Sequence, residues 1–426
     1  MKISKSVFYL KSVTATLLLV AVGAYGSTDK SNGKKFTFTT KSKEAKQYVE
    51  QAVQAIENFQ GGPQLLTLAQ KAVEADPEFA FAHYLVGTVT PPPNNQPSID
   101  KAVELSKKAS DGERRYIEAV LLARAQKADE ALSIFVELSA QYPEERMVQM
   151  LLGQVYLGQG NIDGAKSAFE KAIRIDNSTP RAFGFLGNIQ LLKGEYGKAR
   201  EAFKTVLSKP IQGVAPFLPH YGIAYSYIYE GDYEAALKAL KNYEVEYTKT
   251  GGPQGFPAVF IWNSIARVLL ENGHPDKAIE AYKKGYETVK ESSIPDDQKQ
   301  IWYGRLHHGH GRALAKMGKH AEAWKEAVFI KKMIDEGGEQ GKQFIPSYHY
   351  MAGYLKLESK EYDKAIEHLK QANQTDPFQM LLLARAYERS GDKANAQAIY
   401  KQVVDSTQVT IERALSYAEA KKKLKG

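Results

Sequence analysis

The sequence predicts an all-α solenoid built from antiparallel helix pairs, and three observations lead to this fold class. Ala, Leu, Glu and Lys, which favour helices, dominate the composition, and runs of β-branched residues are scarce. The chain has 426 residues, more than one hydrophobic core usually supports, so it divides into domains or extends as an array. A short pattern of small and aromatic residues recurs along the chain, which is typical of an array.

Residues 1–26 have the pattern of a secretory signal peptide. Lys2, Lys5 and Lys11 precede or border the apolar run Val13–Val22, and small residues follow it. This run is shorter than the roughly 20 apolar residues that span a bilayer. We therefore expect export to a periplasm or out of the cell, with an uncleaved N-terminal anchor as the alternative. After removal of the signal we expect a linker at 27–43 and no stable membrane span.

Composition limits the chemistry and the partners of this protein. The sequence contains no cysteine, which excludes disulfides, thiol nucleophiles and cysteine-ligated metals. The formal net charge is +8, and the only dense basic run is KKKLK at 421–425. Proteins that bind nucleic acids usually carry a concentrated basic face. We therefore expect no nucleic-acid partner.

The pattern of residues 44–145 predicts degenerate helix pairs. The stretches 44–59 and 63–77 form the first expected pair. In the second, the prolines at 91–93 force a loop because proline cannot continue a helix. Residues 111–145 are expected to form the third pair.

A clearer repeat occupies residues 146–404. Its first copy has Gly153 on one predicted helix and Phe169 on the next, and its second has Gly187 and Phe203 in the same places, 34 residues further on. The small residue allows the two helices to approach closely, and the aromatic ring fills the seam between them. Glycine with a polar neighbour ends the first helix of each pair. We identify about seven such copies.

This pattern resembles the tetratricopeptide repeat. The resemblance implies a right-handed α-α superhelix of stacked helix pairs, with loops at one edge where the period lengthens; these loops are at 209–213, 248–257, 291–300 and 336–344. Residues 405–426 are expected to form a capping helix and a basic tail, because an array needs a polar-backed helix at its exposed end. We expect Ile411, Leu415 and Ala418 to form the buried face of this helix, and its charges to face solvent.

In this family the first helix of each pair lines a concave groove that binds protein segments. Carried over residue by residue, the resemblance implies a groove lined by tyrosine, arginine and a few other polar residues. Arginine pairs with carboxylates through a planar fork, and tyrosine offers rigid contact area with a polar tip. The expected lining residues are Asn188, Tyr221, Tyr225, Tyr229, Asn263, Arg267, His308, Arg312, Tyr350, Tyr354, Arg385 and Arg389.

The leading interpretation is a non-catalytic scaffold that binds an extended peptide or protein segment in this groove. Asn263, Arg267 and Arg312 resemble in type the residues that clamp a C-terminal carboxylate in several related proteins, although Arg stands where Lys or Asn is usual. The alternative is that these residues are solvated and form salt links with Glu271 or Glu388.

A second class of function stays open, because the tyrosines at 221, 225 and 229 lie at helical spacing and could stack on sugars. The most suggestive cluster for catalysis is His307, His308 and His310, since histidines at i and i+3 share a helix face, as in some metal sites. We expect His307 and His310 to face the packed seam and His308 the inner face. No phosphate loop, GxSxG or HExxH motif occurs. We predict no enzyme activity, no cofactor and no metal.

Overall fold

A computed structural model of the protein describes residues 35–209, 217–249 and 256–425. Within these ranges the ordered segments are helices, and no strand occurs. The expected signal peptide and part of the expected linker lie outside the described residues, as do parts of the predicted loops at 209–213 and 248–257. No helix among the described residues is both long and apolar enough to cross a membrane.

The described residues form two compact units. The first unit comprises residues 35–193, 198–209 and 217–219 and is built of antiparallel helix pairs. Its helices are α1 (Lys43–Glu57), α2 (Pro63–Ala75), α3 (Ala80–Val89), α4 (Gln96–Ser106), α5 (Asp111–Arg124), α6 (Ala128–Gln141), α7 (Arg146–Gly158), α8 (Ile162–Ile175), α9 (Arg181–Leu192) and most of α10 (Tyr196–Leu207).

The second unit comprises residues 220–249 and 256–425 together with Gly194–Gly197. A short helix and a 3-10 turn at Lys342–Phe344 interrupt its series of pairs. Its helices are most of α11 (Phe217–Glu230), then α12 (Tyr233–Lys249), α13 (Val259–Glu271), α14 (Pro275–Lys290), α15 (Asp296–Lys316), α16 (His320–Glu336), α17 (Gly338–Gly341), α18 (Ile345–Glu358), α19 (Tyr362–Leu369), α20 (Pro377–Ser390), α21 (Lys393–Asp405) and α22 (Ile411–Lys423).

Glycine turns separate the helices of a pair. After α7, Gly160 has a φ of 75°, a left-handed conformation that costs glycine little. The next residue, Asn161, then begins α8 by accepting a hydrogen bond from the backbone N–H of Gly164 at 2.9 Å. The same sequence of turn and N-cap recurs at Gly391 and Asp392, between α20 and α21. These local signals reverse the chain at fixed intervals and produce the pairs.

The predicted seam is present in the structure. A Cβ atom added to Gly153 would lie 2.7 Å from the Phe169 ring, and one added to Gly187 would lie 2.7 Å from the Phe203 ring. Both rings are fully buried. Glycine is therefore required at these two positions for the aromatic residue to enter the seam, as the repeat pattern predicts.

A buried ion pair joins distant helices of the first unit. Arg146 at the start of α7 lies with Nη1 2.5 Å from Oε2 of Glu57 at the end of α1. Arg146 also donates to the Thr179 hydroxyl, which in turn donates to Glu57 over 3.3 Å. Because a buried charge is costly unless it is paired, this network fixes the end of α1 against the start of α7.

The C-terminal helix α22 caps α21 and also reaches further. It packs on α20 and α21 and touches α13, several helices earlier in the same unit. Ile411, Ala414 and Leu415 are buried, whereas Ala418 is exposed. The predicted buried face is therefore wrong at Ala418. The reason is that α22 lies partly over the inner side of the unit, so that some of its charged residues are turned inward.

Candidate functional site

The predicted groove residues of the second unit lie on the first helix of successive pairs. We call the side that they share, which the family resemblance predicts to be concave, the concave face. Asn188 is an exception, because it lies on α9 in the first unit and is half-buried there. The others are Tyr221, Tyr225 and Tyr229 on α11, Asn263 and Arg267 on α13, His308 and Arg312 on α15, Tyr350 and Tyr354 on α18, and Arg385 and Arg389 on α20.

Arg267 forms an ion pair with Glu412 of α22. The side chains of both residues are largely buried, at 17% and 24% exposed. Burial opposes the charged form of Arg267, but the carboxylate of Glu412 outweighs it, and the pKa of Arg267 is raised. Burial likewise opposes ionisation of Glu412, yet Arg267 holds the pKa of that carboxyl below its usual value. The pair is therefore charged on both sides.

Arg385 of α20 forms the second ion pair with α22. Its Nε donates to Oε1 of Glu419 over 2.8 Å, and Nη2 donates to the other carboxylate oxygen over 2.5 Å. This two-point contact is the geometry in which a guanidinium binds a carboxylate most strongly. Burial opposes the charge on Glu419, but the hydrogen bonds from Arg385 hold its pKa below the usual value.

Arg413 ties α22 to two further elements. Its Nη1 donates to the Tyr229 hydroxyl on α11 over 2.7 Å, and its Nε donates to the carbonyl of Ser406 over 2.6 Å. Its guanidinium lies 4.5 Å from the ring centre of Tyr417, within cation–π range. The Tyr229 and Tyr417 rings meet edge to face at 5.6 Å. This part of the concave face is thus covered by the chain's own C-terminal helix.

The acid partners that the alternative interpretation gave to the clamp residues are wrong. The sequence interpretation named Glu271 or Glu388, but Glu271 accepts a long bond from the Tyr354 hydroxyl, and Glu388 accepts from Tyr400 and Lys423. The acids that pair with Arg267 and Arg385 come from α22. Sequence spacing could not reveal this, because it depends on where the C-terminal helix docks.

Arg312 is buried and is held by hydroxyl groups. It is 5% exposed, and its Nη1 and Nη2 donate to the hydroxyls of Tyr350 and Tyr282 over 2.8 and 3.0 Å. Among the described residues no carboxylate lies within ion-pair distance of this guanidinium. A buried cation without an acid partner is unusual in a protein. It leaves a positive charge beneath the concave face.

Arg305 lies two turns before Arg312 on α15 and was missed by the sequence interpretation. It is exposed and lies over the Trp302 ring, with 4.5 Å from the guanidinium carbon to the ring centre. In the part of the chain that the structure describes, it has no ion pair or hydrogen bond with another side chain. Desolvation by the surrounding protein lowers the pKa of Arg305. The sequence signal that could have identified Arg305 is its spacing of seven residues from Arg312, which places both on the same side of the helix.

The three histidines lie on the sides of α15 that the repeat pattern predicts. His307 and His310 each contact Glu326 of α16 through Nδ1, at 2.5 and 2.9 Å, and so face the seam. His308 is 8% exposed on the inner side, and its Nε2 lies 3.2 Å from the carbonyl of Ser347. Burial, together with Arg312, holds the pKa of His308 well below its usual value, so that it is neutral. Within the described ranges no group of three or more potential ligands is arranged to hold a metal.

Several expected lining residues are structural contacts here. Tyr221 is 5% exposed and donates to the carbonyl of Phe260. Tyr354 is fully buried, and the Asn263 amide is occupied by the carbonyl of Val259 at 3.0 Å. Arg389 is exposed at the end of α20. In this structure Tyr221 and Tyr354 are therefore not available as groove surface, because their side chains pack between helices.

Comparison with protein families agrees with this architecture. Models described as "Tetratricopeptide repeat" match residues 116–180, 150–213, 221–293, 346–379 and 380–406, which together cover more than half of the chain. The chain belongs to the tetratricopeptide repeat family. Repeats of this kind build protein-interaction scaffolds with extended concave surfaces. No curated protein matches this tetratricopeptide repeat chain in sequence.

Solved structures with similar helical arrays include three of known source. PilF of Pseudomonas aeruginosa is 20% identical, with a TM-score of 0.33 over 48% of this chain and 92% of that chain. A tetratricopeptide repeat protein from Parabacteroides merdae is 14% identical, with a TM-score of 0.34 over 62% and 98% of the two chains. The human IFIT1 dimer with m7Gppp-AAAA is 15% identical, with a TM-score of 0.41 over 86% and 90%. Likenesses this distant say nothing about the ligand of this tetratricopeptide repeat protein.

Proposed function

We propose that this protein is a non-catalytic scaffold whose concave face in the second unit binds a protein segment through carboxylates on that segment. The observation that carries the proposal is the state of the arginines on this face. Arg267 and Arg385 are paired with glutamates, whereas Arg305 and Arg312 have no carboxylate partner among the described residues. The face therefore carries two guanidinium groups, Arg305 and Arg312, that form no ion pair with a described carboxylate.

The arrangement favours a carboxylate as the incoming group. Arg305 is exposed and offers its fork directly, while Arg312 lies buried nearby and adds to the positive potential. Tyr282 and Tyr350 hold the guanidinium of Arg312 in place. Binding of a partner therefore costs little conformational entropy at this side chain. Charge-assisted hydrogen bonds from arginine to carboxylate are among the stronger polar contacts in proteins.

We keep the prediction that this face binds a carboxylate of the partner, but with a different set of contact residues. Its Asn263 and Arg267 already have partners within the chain, so Arg305 replaces them as the accessible contact. A side-chain carboxylate of Asp or Glu and a C-terminal carboxylate share the same chemistry. Both are therefore candidate groups of the bound segment.

A selection experiment tests the proposal. A random 16-residue peptide library displayed on phage is selected on the immobilised full chain, and the recovered peptides are measured by fluorescence anisotropy. We expect enrichment of Asp and Glu, and at least tenfold weaker binding to the Arg305→Gln variant. Lys393→Gln, which makes the same charge change at an exposed position on α21, should bind as the wild type does. The proposal would be contradicted by selected peptides that lack acidic residues, or by peptides that bind Arg305→Gln as tightly as the wild type.

The glycan alternative has lost its support. It depended on free tyrosine faces, but Tyr221 and Tyr229 are only 5% and 6% exposed. The Tyr229 ring stacks on Tyr196 at 5.2 Å and meets Tyr417 at its edge. We therefore propose protein binding alone.

Export is also part of the proposal, and it is supported by the basic, apolar and small-residue order of residues 1–26. Expression of the full gene in a bacterial host, followed by osmotic-shock fractionation and intact mass measurement, tests it. We expect the protein in the released fraction with a mass reduced by the signal peptide. Full-length protein that pellets with membranes would support the anchored alternative instead.

A further inference from the structure

We propose that α22 is an internal occupant of the concave face, and that the partner segment which fits this face is an acidic amphipathic helix that takes the place of α22. The inference rests on the proposed function, because it identifies the class of segment that the same face accepts. It adds that the face regulates its own access through the C-terminal helix.

The first support is the spacing of charges on α22. Glu412 and Glu419 are seven residues apart, which places them on one side of a helix with a rise of about 10 Å between them. Their partners, Arg267 and Arg385, belong to two different repeats, on α13 and α20. The concave face therefore presents cations at a spacing that a helix with two glutamates matches. An extended segment has a rise of about 3.3 Å per residue, so its two acidic residues would need a different spacing in the sequence to reach the same two arginines.

The second support is the kind of contact that holds α22 on the face. The polar contacts to α11, α13 and α20 described above are ion pairs and a hydrogen bond from Arg413 to Tyr229, and Tyr417 adds an edge contact with the Tyr229 ring. The apolar residues that α22 buries are Ile411, Ala414, Leu415 and Ala420. Because two carboxylates of α22 form the ion pairs with the face, a segment that offers the same carboxylates can compete with it.

The third support is the connection of α22 to the rest of the chain. A five-residue segment, 406–410, joins it to α21, and the helix begins at the Thr410 N-cap, whose hydroxyl accepts from the Arg413 backbone. A helix on a short link has a high effective concentration at its site. An external acidic helix gains one further contact, with the exposed Arg305, which α22 leaves without an ion pair. This extra contact allows the external helix to compete despite that tether.

Peptide binding tests the inference directly. The probe is a fluorescein-labelled synthetic peptide with the sequence of residues 407–425, and the protein is the full chain as wild type or as the Glu412→Gln/Glu419→Gln variant. The variant weakens its own α22, so we expect it to bind the peptide at least tenfold more tightly than the wild type. A peptide with glutamine at both positions should bind the variant at least tenfold more weakly. The Glu234→Gln/Glu280→Gln variant, with two exposed glutamates changed on α12 and α14, should behave as the wild type.

A second measurement covers the case in which the variant fails to fold, which circular dichroism would reveal. Hydrogen exchange of wild-type amides 411–423 is compared with and without a saturating acidic peptide from the phage selection. Faster exchange in α22 on binding supports displacement, and unchanged exchange overturns it. Equal binding of the α22 peptide by wild type and variant, or no effect of its glutamates, also overturns the inference. In that case, selected peptides that still bind more weakly to Arg305→Gln would support the proposed function and reject only the role of α22 as an internal occupant. Selected peptides that bind equally to Arg305→Gln would reject both proposals.

Discussion

Arg413 near the C-terminus donates a hydrogen bond to the hydroxyl of Tyr229, 184 positions earlier in the chain, with 2.7 Å between Nη1 and the oxygen. Arg413 is 3% exposed, and it also binds the carbonyl of Ser406 just beyond the end of α21. One side chain thus links the first and last helices of the second unit. The C-terminal helix is therefore a structural part of the concave face.

The ion pair between Arg267 and Glu412 should control the local stability of α22. Glu412→Gln removes the carboxylate and leaves Arg267 largely buried with a weaker neutral partner, which we expect to cost about 1–3 kcal/mol. Amide exchange in residues 411–423 should become faster, while helices of the first unit are unaffected. Glu234→Gln serves as the control. Unchanged protection of α22 would mean that apolar packing alone holds the helix.

Two glycines of α7 should respond oppositely to alanine. Gly153→Ala places a Cβ 2.7 Å from the Phe169 ring, and we expect this overpacking to destabilise the first unit by about 1–3 kcal/mol. Gly158 has no atom within 4 Å of an added Cβ, so Gly158→Ala should stabilise α7 by up to about 1 kcal/mol. Thermal unfolding followed by circular dichroism measures both. Loss of stability in both variants, or in neither, would contradict the seam described here.

Glu145 should make the first unit less stable as the pH rises. Burial raises the pKa of its carboxyl to about 7, whereas an unfolded glutamate titrates near about 4.3. The folded state therefore keeps a proton that the unfolded state has already lost. The resulting stabilisation is complete below about pH 4.3 and disappears as the pH rises through 7, with a limit of about 4 kcal/mol.

The measurement for Glu145 is the difference in urea midpoint between wild type and Glu145→Gln from pH 4 to 8. Glutamine cannot titrate, so the wild type should lose stability relative to the variant as the pH rises. Other carboxyl groups contribute equally to both proteins and cancel. A difference that stays constant with pH, or grows in favour of the wild type, would exclude the raised pKa.

The hydroxyls that hold Arg312 should matter for binding as well as for stability. Tyr350→Phe removes the acceptor of Nη1, and we expect a cost of about 1 kcal/mol together with weaker binding of acidic peptides. Tyr348→Phe, two residues earlier on the same helix, is the matched control. Thermal unfolding and fluorescence anisotropy measure the two effects. Stability reduced without any change in binding would limit Arg312 to a structural role.

The helix pairs and their seams follow from local sequence. Gly153 and Phe169 lie only 16 positions apart, and helical periodicity alone places them on facing surfaces. The positions of His307 and His310 followed from the same frame, and contact with Glu326 agrees with it. Such contacts are predictable because each pair repeats the same geometry over a short stretch of chain.

Local sequence patterns alone specify an all-helical repeat protein, its seams and the helices that bear the groove residues. The docking of α22 in the tertiary structure is what pairs Glu412 and Glu419 with Arg267 and Arg385, whereas Arg305 and Arg312 have no carboxylate partner in the part of the chain that the structure describes. Arg267 and Glu412 are 145 positions apart, and the small rotations between many stacked repeats decide whether they meet. Periodicity specifies neighbours within a pair, but the docking of the last helix depends on the sum of all the packing before it.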